Sequence, residues 1–266
     1  MSERGGTPAG RRSSTSPVFL VTCEHGGNRV PIAYQDLFRR AGPALASHRG
    51  WDAGTVALAR DLARDLAGLG PGEGVTSPRV STVTRLLVDL NRSAHNPLVF
   101  SEWTRALPPA ERRILLEQFH TPHREAVASD VAELVSRGHR VIHLAVHSFT
   151  PVVNGRMRRV DLALLYDPGR SEERTLSATW VTVLRRRLPE LRVGRNQPYR
   201  GASDGLTTWL RRRYGDDRYL GIEIEVSQGL LDAGGRLPRD VTEGLAEGAI
   251  EAATFPRPAG ARNRRR

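Results

Sequence analysis

The sequence contains no lysine and only one cysteine, Cys23, in 266 residues. A single cysteine cannot form an internal disulfide, and without a Cys-x-x-Cys pattern a thiolate zinc site has no support. No run of about 18 apolar residues is present, and the N-terminal segment lacks the apolar core of a signal peptide. We therefore expect a cytoplasmic protein without a membrane partner, in which any metal ion is bound by histidine and carboxylate.

The motifs that bind nucleotides are also absent. Neither GxxxxGK nor GxGxxG occurs in a context that would cradle a phosphate. The sequence therefore gives no support to nucleotide binding.

Positive charge is abundant, with a formal net charge of +11, but much of it lies at the ends of the chain. Residues 1–16 carry +2 and residues 256–266 carry +5, which leaves +4 for the rest. Both tails are poor in apolar residues, so we expect them to be disordered and to flank one domain over residues 17–255. This distribution argues against nucleic-acid binding as the main function, and an arginine-rich nucleic-acid-binding protein is the alternative outside enzymes.

Between the tails, apolar runs alternate with segments of helical periodicity. The predicted strands lie within residues 18–23, 79–93, 139–151, 161–167, 191–199 and 219–228. The predicted helices lie within residues 53–68, 109–136, 171–188, 203–214 and 238–253, with Pro122 as a potential break. This order implies right-handed crossovers. The expected fold is an α/β three-layer sandwich, with a mixed, mostly parallel sheet and helices on both faces, of phosphorylase/hydrolase-like type.

Polar residues follow four of the predicted strands. They are Glu24 and His25, then Asp89, Asn91 and Arg92, then His147 and Ser148, and finally Glu223, Glu225 and Gln228. The carboxyl ends of parallel strands meet at one rim of a sheet, and ligands bind outside that rim. We therefore expect these distant segments to form a single site.

Two imidazoles and one carboxylate form the ligand set of a catalytic zinc site with an open position for water. His25 and His147 are the leading imidazoles, because both lie at the polar end of a strand. His143 shares a strand face with His147 by period-two alternation, but it lies within the apolar run and is interpreted as structural.

The third ligand is open among three residues. Glu24 adjoins His25 but points the opposite way if the strand continues through it, and Asn28 is a poor zinc ligand. Asp52 precedes the predicted helix, where an N-cap is its alternative role.

Glu223 and Glu225 share one face of their strand, because apolar residues alternate with them. Two carboxylates on one face of an interior strand are costly unless they are bound or protonated. Glu225 lies nearer the carboxyl end of the strand and is the predicted general base. An ion pair with an arginine is the alternative.

Two segments offer groups that could bind an anionic substrate. Arg92 has a planar fork suited to a carboxylate and Asn91 can add a hydrogen bond, although a turn with an Arg92–Asp89 ion pair is the alternative. Residues 194–205 are rich in loop-forming residues and are expected to form a mobile loop over the substrate. That loop supplies Arg195, Asn196, Tyr199 and Arg200.

Seven motifs, in order along the chain, together resemble the N-formylglutamate amidohydrolase family. They are CEHGGNRVP (23–31), HRGWDAGT (48–55), RLLVDLNRS (85–93), FHTPHREAV (119–127), AVHSFTP (145–151), NQPYRG (196–201) and IEIEVSQGLL (222–231). The resemblance implies a fold similar to zinc carboxypeptidases and aminoacylases, and a metal-dependent hydrolase that removes formyl from N-formyl-L-glutamate.

By this resemblance, His25 and His147 bind the metal and Glu225 acts on the water. Asn91 and Arg92 resemble the pair with which zinc carboxypeptidases bind a substrate carboxylate.

The first motif departs from the carboxypeptidase pattern, which has a glutamate three residues after the histidine. This chain has Asn28 there, so Asp52 becomes the preferred third ligand, with Glu24 in reserve.

The expected function is cleavage of an N-acyl amide of an acidic amino acid, such as N-formyl-L-glutamate, with Zn²⁺ or another divalent metal as cofactor. The expected partner is therefore a small anionic N-acyl amino acid. A zinc hydrolase of another N-acyl amino acid or of a peptide end is the alternative among enzymes.

Overall fold

A computed structural model of the chain describes residues 17–69 and 74–255. The predicted tails, residues 1–16 and 256–266, lie outside the described residues. The strands are β1 (Val18–Cys23), β2 (Arg79–Val80), β3 (Val141–Phe149), β4 (Val152–Val153), β5 (Arg156–Met157), β6 (Leu162–Leu165), β7 (Val193–Arg195) and β8 (Tyr219–Ser227). The α-helices are α1 (Gly42–Leu45), α2 (Thr55–Leu69), α3 (Pro109–Leu115), α4 (Thr121–Ser136), α5 (Ser171–Arg187), α6 (Leu206–Arg211) and α7 (Arg239–Thr254).

Six of the strands form one sheet in the order β2-β1-β3-β8-β6-β7. β2, β1, β3 and β8 run parallel to one another, whereas β6 is antiparallel to β8 and β7 is parallel to β6. β4 and β5 form a separate antiparallel hairpin. The predicted mixed, mostly parallel sheet is confirmed, and β6 and β7 are the strands that run the other way.

Helices cover both faces of this sheet. On one face, α2, α5 and α7 pack against alternate residues of the central strands, with the fully buried Trp180 of α5 among the largest side chains. On the other face, α4 and α6 pack against Leu20, Val141 and Tyr219. The three layers predicted from the sequence are therefore present. Within the described residues, none of the helices has the length and apolar character needed to cross a bilayer.

The face towards α4 and α6 carries the polar side chains of the central strands. β3 and β8 pair with His143 opposite Gly221, Ala145 opposite Glu223, and His147 opposite Glu225. All nine residues of each strand are buried. Because side chains alternate along a strand, every second residue here is directed to the same side as His147. The register thus brings His147 and Glu225 next to each other across the two strands.

The predicted strand over residues 79–93 is wrong beyond β2. After Val80 the chain turns repeatedly, as when the Leu87 amide donates to the Thr84 carbonyl and the Asp89 amide donates to the Val99 carbonyl. Its apolar residues pack into two small clusters beneath this segment instead of against a neighbouring strand. A run of β-branched and leucine residues is typical of a strand, but here tertiary packing decides the backbone conformation.

The predicted helix over residues 109–136 is present but contains one wider turn. α3 and α4 are joined by a π-helical turn at Leu116–His120, and Pro122 lies in the first turn of α4. An extra residue in such a turn rotates the helix that follows it, and Pro is tolerated at a helix start. The wider turn therefore falls just before Pro122. Near it, His120 and Arg124 contact backbone carbonyls of residues 90–92, and His123 faces Glu24.

His143 lies between two hydroxyl groups in the core. Its Nε2 is 2.8 Å from Thr22 Oγ1 and its Nδ1 is 2.7 Å from Tyr219 Oη. Both ring nitrogens are satisfied within the described structure, as expected of a structural histidine.

Burial lowers the pKa of His143 to about 4, because the charged imidazolium loses its hydration. Since an unfolded histidine has a pKa of about 6.5, its contribution to stability is complete above that pH and is lost as the pH falls towards 4. We expect the urea-unfolding free energy of the wild type to decrease more steeply over this window than that of His143→Gln. Equal slopes for the two proteins would contradict this assignment.

Candidate active site

Three residues from separate segments meet at the carboxyl ends of β1 and β3. Asp52 Oδ2 is 3.4 Å from His25 Nδ1 and 3.0 Å from His147 Nδ1. The two imidazole rings have their centroids 5.1 Å apart, and all three residues are buried. One ligand atom from each lies within 4.8 Å of the others, so the three can share one cation.

Asp52 is directed to the histidines by the backbone that precedes α2. Its amide donates to the His25 carbonyl over 2.8 Å, and its own carbonyl accepts from Thr55 Oγ1 over 2.7 Å. Among the described residues, the carboxylate of Asp52 bonds to no backbone N–H of α2, and its Oδ1 instead accepts from Arg85 Nη1 at 3.2 Å. The side chain of Asp52 therefore does not serve as an N-cap.

The other nitrogen of each imidazole faces a carboxylate. His25 Nε2 is 2.7 Å from Asp89 Oδ1, and His147 Nε2 is 3.3 Å from Glu24 Oε2. Metal-binding histidines usually donate their second ring N–H to such a group, which fixes the tautomer and the ring orientation. His25 Nδ1 is buried and has no hydrogen-bond partner in the described structure. The arrangement therefore fits a divalent cation held by two Nδ1 atoms and Asp52 Oδ2.

The charges of the site also fit a cation. Glu24, Asp52 and Asp89 are buried carboxylates, and Arg85 is the guanidinium that bonds to two of them, through Asp52 Oδ1 and Asp89 Oδ2. Burial would lower the pKa of His147, but its contacts with Asp52 and Glu24 hold it well above the ordinary value. The protein thus favours positive charge where His147 and Asp52 meet, which a bound divalent cation would supply.

Neither of the other two candidates for third ligand, Glu24 and Asn28, faces the point where His25, Asp52 and His147 meet. Glu24 approaches His147 from the opposite edge of the imidazole ring, through Nε2. Asn28 donates its side-chain amide to the Leu45 carbonyl over 3.1 Å. The geometry therefore favours Asp52 as the third ligand.

Two glycines after His25 allow the chain to pack closely on the segment that follows β2. The Gly26 amide donates to the Ser81 carbonyl over 3.0 Å. A Cβ on Gly27 would lie 2.5 Å from the Thr82 carbonyl oxygen, closer than real Cβ atoms come. Glycine is required here for close backbone packing, which fixes the turn carrying His25.

Glu225 lies beside His147 and has a carboxylate oxygen with no partner. Oε2 is buried without a hydrogen bond, and no arginine lies within ion-pair distance of Glu225 among residues 17–69 and 74–255. Burial is the main reason that its pKa is raised to about 8. Glu223 differs, because its Oε1 accepts from Thr207 Oγ1 over 2.7 Å. Glu225 is thus the less restrained carboxyl group of the pair.

A pocket of about 350 Å³ opens over these groups. It is lined by His25, Asp52, His147, Glu223 and Glu225 at its base, and by His48, Arg49, Arg85, Asn91, Arg92, Tyr199, Arg200, Ser203 and Asp204 among others. Four arginines in one pocket favour an anionic ligand.

The arginines of this pocket differ in how far other groups already engage them. Arg85 bonds to two carboxylates and Arg49 pairs with Glu102. Arg92 donates Nη1 to the Asp204 carbonyl over 3.3 Å, and its Nε is 4.0 Å from Asp89 Oδ2. Arg200 is exposed and has no acidic partner among the described residues. Arg92 and Arg200 are therefore the ones most able to bind an anion.

Asn91 lines the pocket but already uses much of its side chain. Its Oδ1 accepts from the Leu206 amide over 2.7 Å, at the start of α6, and its Nδ2 is 3.4 Å from His147 Nε2. Arg124 Nη1 donates to the carbonyls of residues 90, 91 and 92, and His120 Nε2 is 2.8 Å from the Arg92 carbonyl. The segment around Asn91 is thus held in place by α4 and α6.

Arg195 and Asn196 lie away from the pocket, contrary to the expectation from the sequence. β7 runs opposite to β3 and β8, so its carboxyl end leads away from His147, and Arg195 lines a separate basic pocket with Arg185 and Arg192. Asn196 Oδ1 accepts from the amides of Tyr166 and Gly201, which secures the loop. A lone strand-to-loop segment does not reveal the strand's direction in the sheet.

Ser203 offers a second chemistry that the geometry does not support. It lies in GASDG (201–205), a match to the GxSxG pattern of serine hydrolases, and it lines the pocket. That pattern needs a strand-to-helix turn and a histidine hydrogen-bonded to the serine. Ser203 follows a loop, and in the described structure its hydroxyl has no histidine partner.

Some site residues were not assigned a role from the sequence. Arg85 joins Asp52 to Asp89, and His123 Nε2 lies 3.6 Å from Glu24 Oε1. His48 and Arg49 line the outer pocket. Arg85 precedes Asp89 by four residues, and in the strand predicted there the two would lie on one face about 13 Å apart, too far for this contact.

Comparisons with protein families and solved structures agree with the family resemblance of the sequence motifs. The model of a family described as N-formylglutamate amidohydrolase matches residues 17–231. Among solved structures, the gene product Atu2144 from Agrobacterium tumefaciens is 27% identical over 90% of both chains, with a TM-score of 0.70. N-formylglutamate amidohydrolase from Ralstonia eutropha JMP134 is 20% identical, over 91% of this chain and 94% of its own, with a TM-score of 0.59. Among curated proteins, no sequence matches the chain.

The site geometry predicts one zinc ion per chain. We expect His147→Ala and Asp52→Ala each to weaken Zn²⁺ affinity by more than about 100-fold, since loss of an outer partner alone costs up to that much. Isothermal titration and elemental analysis of purified protein measure this. Glu223→Gln, which changes a pocket carboxylate outside the three ligands, should keep wild-type affinity. Unchanged zinc binding in both ligand variants, with their folds intact, would exclude this site.

Proposed function

The chain belongs to the N-formylglutamate amidohydrolase family, and we propose that it is a metal-dependent amidohydrolase that cleaves an N-acyl amide of an acidic amino acid, such as N-formyl-L-glutamate. The observation that carries the proposal is the meeting of His25, Asp52 and His147 beside an unpaired carboxyl group, at the base of an arginine-lined pocket.

His25 Nδ1, His147 Nδ1 and Asp52 Oδ2 would hold Zn²⁺ or another divalent cation. When bound, such an ion supplies a Lewis acid that polarises the amide carbonyl and makes water more acidic. Asp89 orients the His25 imidazole, and Arg85 holds Asp52 and Asp89 in place through two hydrogen bonds.

Glu225 moves the proton in this proposal. It accepts a proton from the water that attacks the amide carbon and then donates it to the nitrogen of the leaving amine. Burial raises its pKa to about 8, so the free carboxyl group is mostly protonated at neutral pH, the form that donates in the second transfer. A divalent cation held beside it would lower this pKa and favour the carboxylate that accepts the proton first. Its position across from His147 places it beside the proposed metal ligands.

Arg92 and Arg200 bind the carboxylates of the substrate in this proposal. A guanidinium offers paired donors that match a carboxylate, and these two arginines retain free donors at the pocket wall. Asn91 supports Arg92 by fixing the segment that carries it, and its amide group faces the pocket near His147.

A different acyl group is the second candidate, and one observation favours it. The pocket also includes His48 and Arg49, and its volume of about 350 Å³ can hold an acyl group larger than formyl. Hydrolysis of another N-acyl amino acid or of a peptide end would use the same proposed ligands and the same Glu225.

The direct test is hydrolysis of a panel of N-acyl amino acids by the zinc-loaded protein, with formate release as the readout for N-formyl-L-glutamate. We expect activity towards acidic substrates, loss of activity on exhaustive metal removal, and recovery on readdition of zinc. Glu225→Gln should lower kcat by about 100- to 10,000-fold with unchanged zinc content, because only proton transfer is removed.

The outcomes of this assay separate the two candidates. Faster turnover of larger acyl groups than of formyl would identify the second candidate. Full activity of Glu225→Gln, or of metal-stripped protein, would contradict the mechanism for both.

Substrate charge should be recognised by Arg92 and Arg200. We expect Arg92→Gln and Arg200→Gln to raise KM for N-formyl-L-glutamate by about 10-fold or more, since each removes a charged hydrogen bond of about 1.5–3 kcal/mol. Arg195→Gln is the matched control, because Arg195 lies outside the pocket. A larger effect of the control than of the pocket variants would show that the binding residues are wrongly assigned.

A further inference from the structure

Glu24 is fully buried, yet neither of its carboxylate oxygens has a hydrogen-bond partner within the described structure. Oε2 lies 3.3 Å from His147 Nε2, and Oε1 lies 3.6 Å from His123 Nε2. A buried carboxylate is strongly destabilising unless nearby donors or charges offset its lost hydration. Glu24 is therefore an energetically unfavourable buried carboxylate that lies between the imidazoles of His147 and His123.

We propose that Glu24 is a positioning residue that holds the His147 ring in the tautomer that binds metal through Nδ1, and that His123 supports Glu24 from the other side. The inference rests on the metal site proposed above and assigns two residues that the proposed mechanism does not otherwise need.

The tautomer follows from the position of the proposed cation at Nδ1 of the His147 ring. An imidazole that gives its Nδ1 lone pair to a cation carries its proton on Nε2. Nε2–H then needs an acceptor, and Glu24 Oε2 is a carboxylate oxygen at 3.3 Å. The Asn91 NH₂ group lies 3.4 Å from Nε2 and can only donate, because Asn91 Oδ1 accepts from the Leu206 amide. It donates to Nε2 only when the proton is on Nδ1 and faces Asp52 Oδ2, so a cation on Nδ1 leaves Glu24 Oε2 as the acceptor for Nε2–H.

His123 is the group that faces the remaining oxygen of Glu24. It lies in the first turn of α4, directly after the π-helical turn. Its neighbours in the segment are engaged elsewhere, since His120 contacts the Arg92 carbonyl and Arg124 donates to three carbonyls of residues 90–92. His123 therefore balances the buried Glu24 carboxylate on the side away from the proposed metal.

Glu24 would act through His147 and not as a ligand. Its contact is with the ring nitrogen opposite to the one that faces Asp52, so the ring separates it from the point where His25, Asp52 and His147 meet. This arrangement is the carboxylate–histidine pair that orients many metal ligands.

The test compares zinc affinity by isothermal titration in the wild type and four variants. Glu24→Gln and His123→Leu should each weaken Zn²⁺ binding by about 10- to 100-fold, the usual effect of losing an outer partner. His123→Gln keeps a donor towards Glu24 and should recover part of the loss seen in His123→Leu. His143→Gln is the matched control, since it changes a buried histidine of the same strand as His147 that contacts none of the proposed ligands in the described structure.

A second measurement uses the wild-type protein and does not depend on how the variants fold. In zinc-loaded protein with ¹⁵N-labelled histidine, the His147 ring should show a proton on Nε2 and a metal-bound Nδ1. The Nε2 proton should be shifted downfield by its hydrogen bond to Glu24 Oε2.

The outcomes are distinct. A His147 ring bound to zinc through Nε2 would overturn the inference, as would wild-type zinc affinity in folded Glu24→Gln. A wild-type protein that binds no zinc at His25, Asp52 and His147 would overturn the proposed function and this inference with it.

Discussion

The contact of Asp52 Oδ2 with two imidazoles is the interaction on which the site depends. It joins the end of β1, the segment before α2 and the end of β3, which are far apart in the sequence. Asp52, Asp89 and Glu24 are all buried, and such groups persist only where charges or donors offset their lost hydration. Arg85 and the imidazoles supply part of that compensation, and the remainder favours a cation where the three residues meet.

The sheet explains why this contact can form. Parallel pairing of β1, β3 and β8 brings their carboxyl ends to one rim, and the register sets His147 beside Glu225. Alternation along the same strands keeps one face apolar for α2, α5 and α7 while the other face carries His143, His147 and Glu225. β6 is antiparallel to β8 and β7 is parallel to β6, so the carboxyl end of β7, with Arg195, lies away from the site. The loop that follows β7 nevertheless reaches the pocket, where Arg200 lines the wall.

Support for the site comes from elements that contribute no proposed ligand. His120 and Arg124, at the junction of the π-helical turn and α4, contact carbonyls of the irregular segment around residue 91, and His123 faces the buried Glu24. α6 begins with an amide that binds Asn91. Such outer contacts hold polar side chains within the narrow geometry that metal binding and proton transfer require.

The sequence by itself determined the α/β class, the helices, the central strands and the grouping of His25, His147 and Glu225 at strand ends, because periodicity and burial are local properties of the chain. It could not determine that residues 81–93 turn beneath the sheet, that β6 is antiparallel, or that Asn196 secures a loop. Nor could it choose between Asp52 and Glu24, since that choice depends on which ring nitrogen of His147 each carboxylate faces. Only the tertiary structure decides these points, because the direction of a side chain at the rim is set by packing between segments more than twenty residues apart.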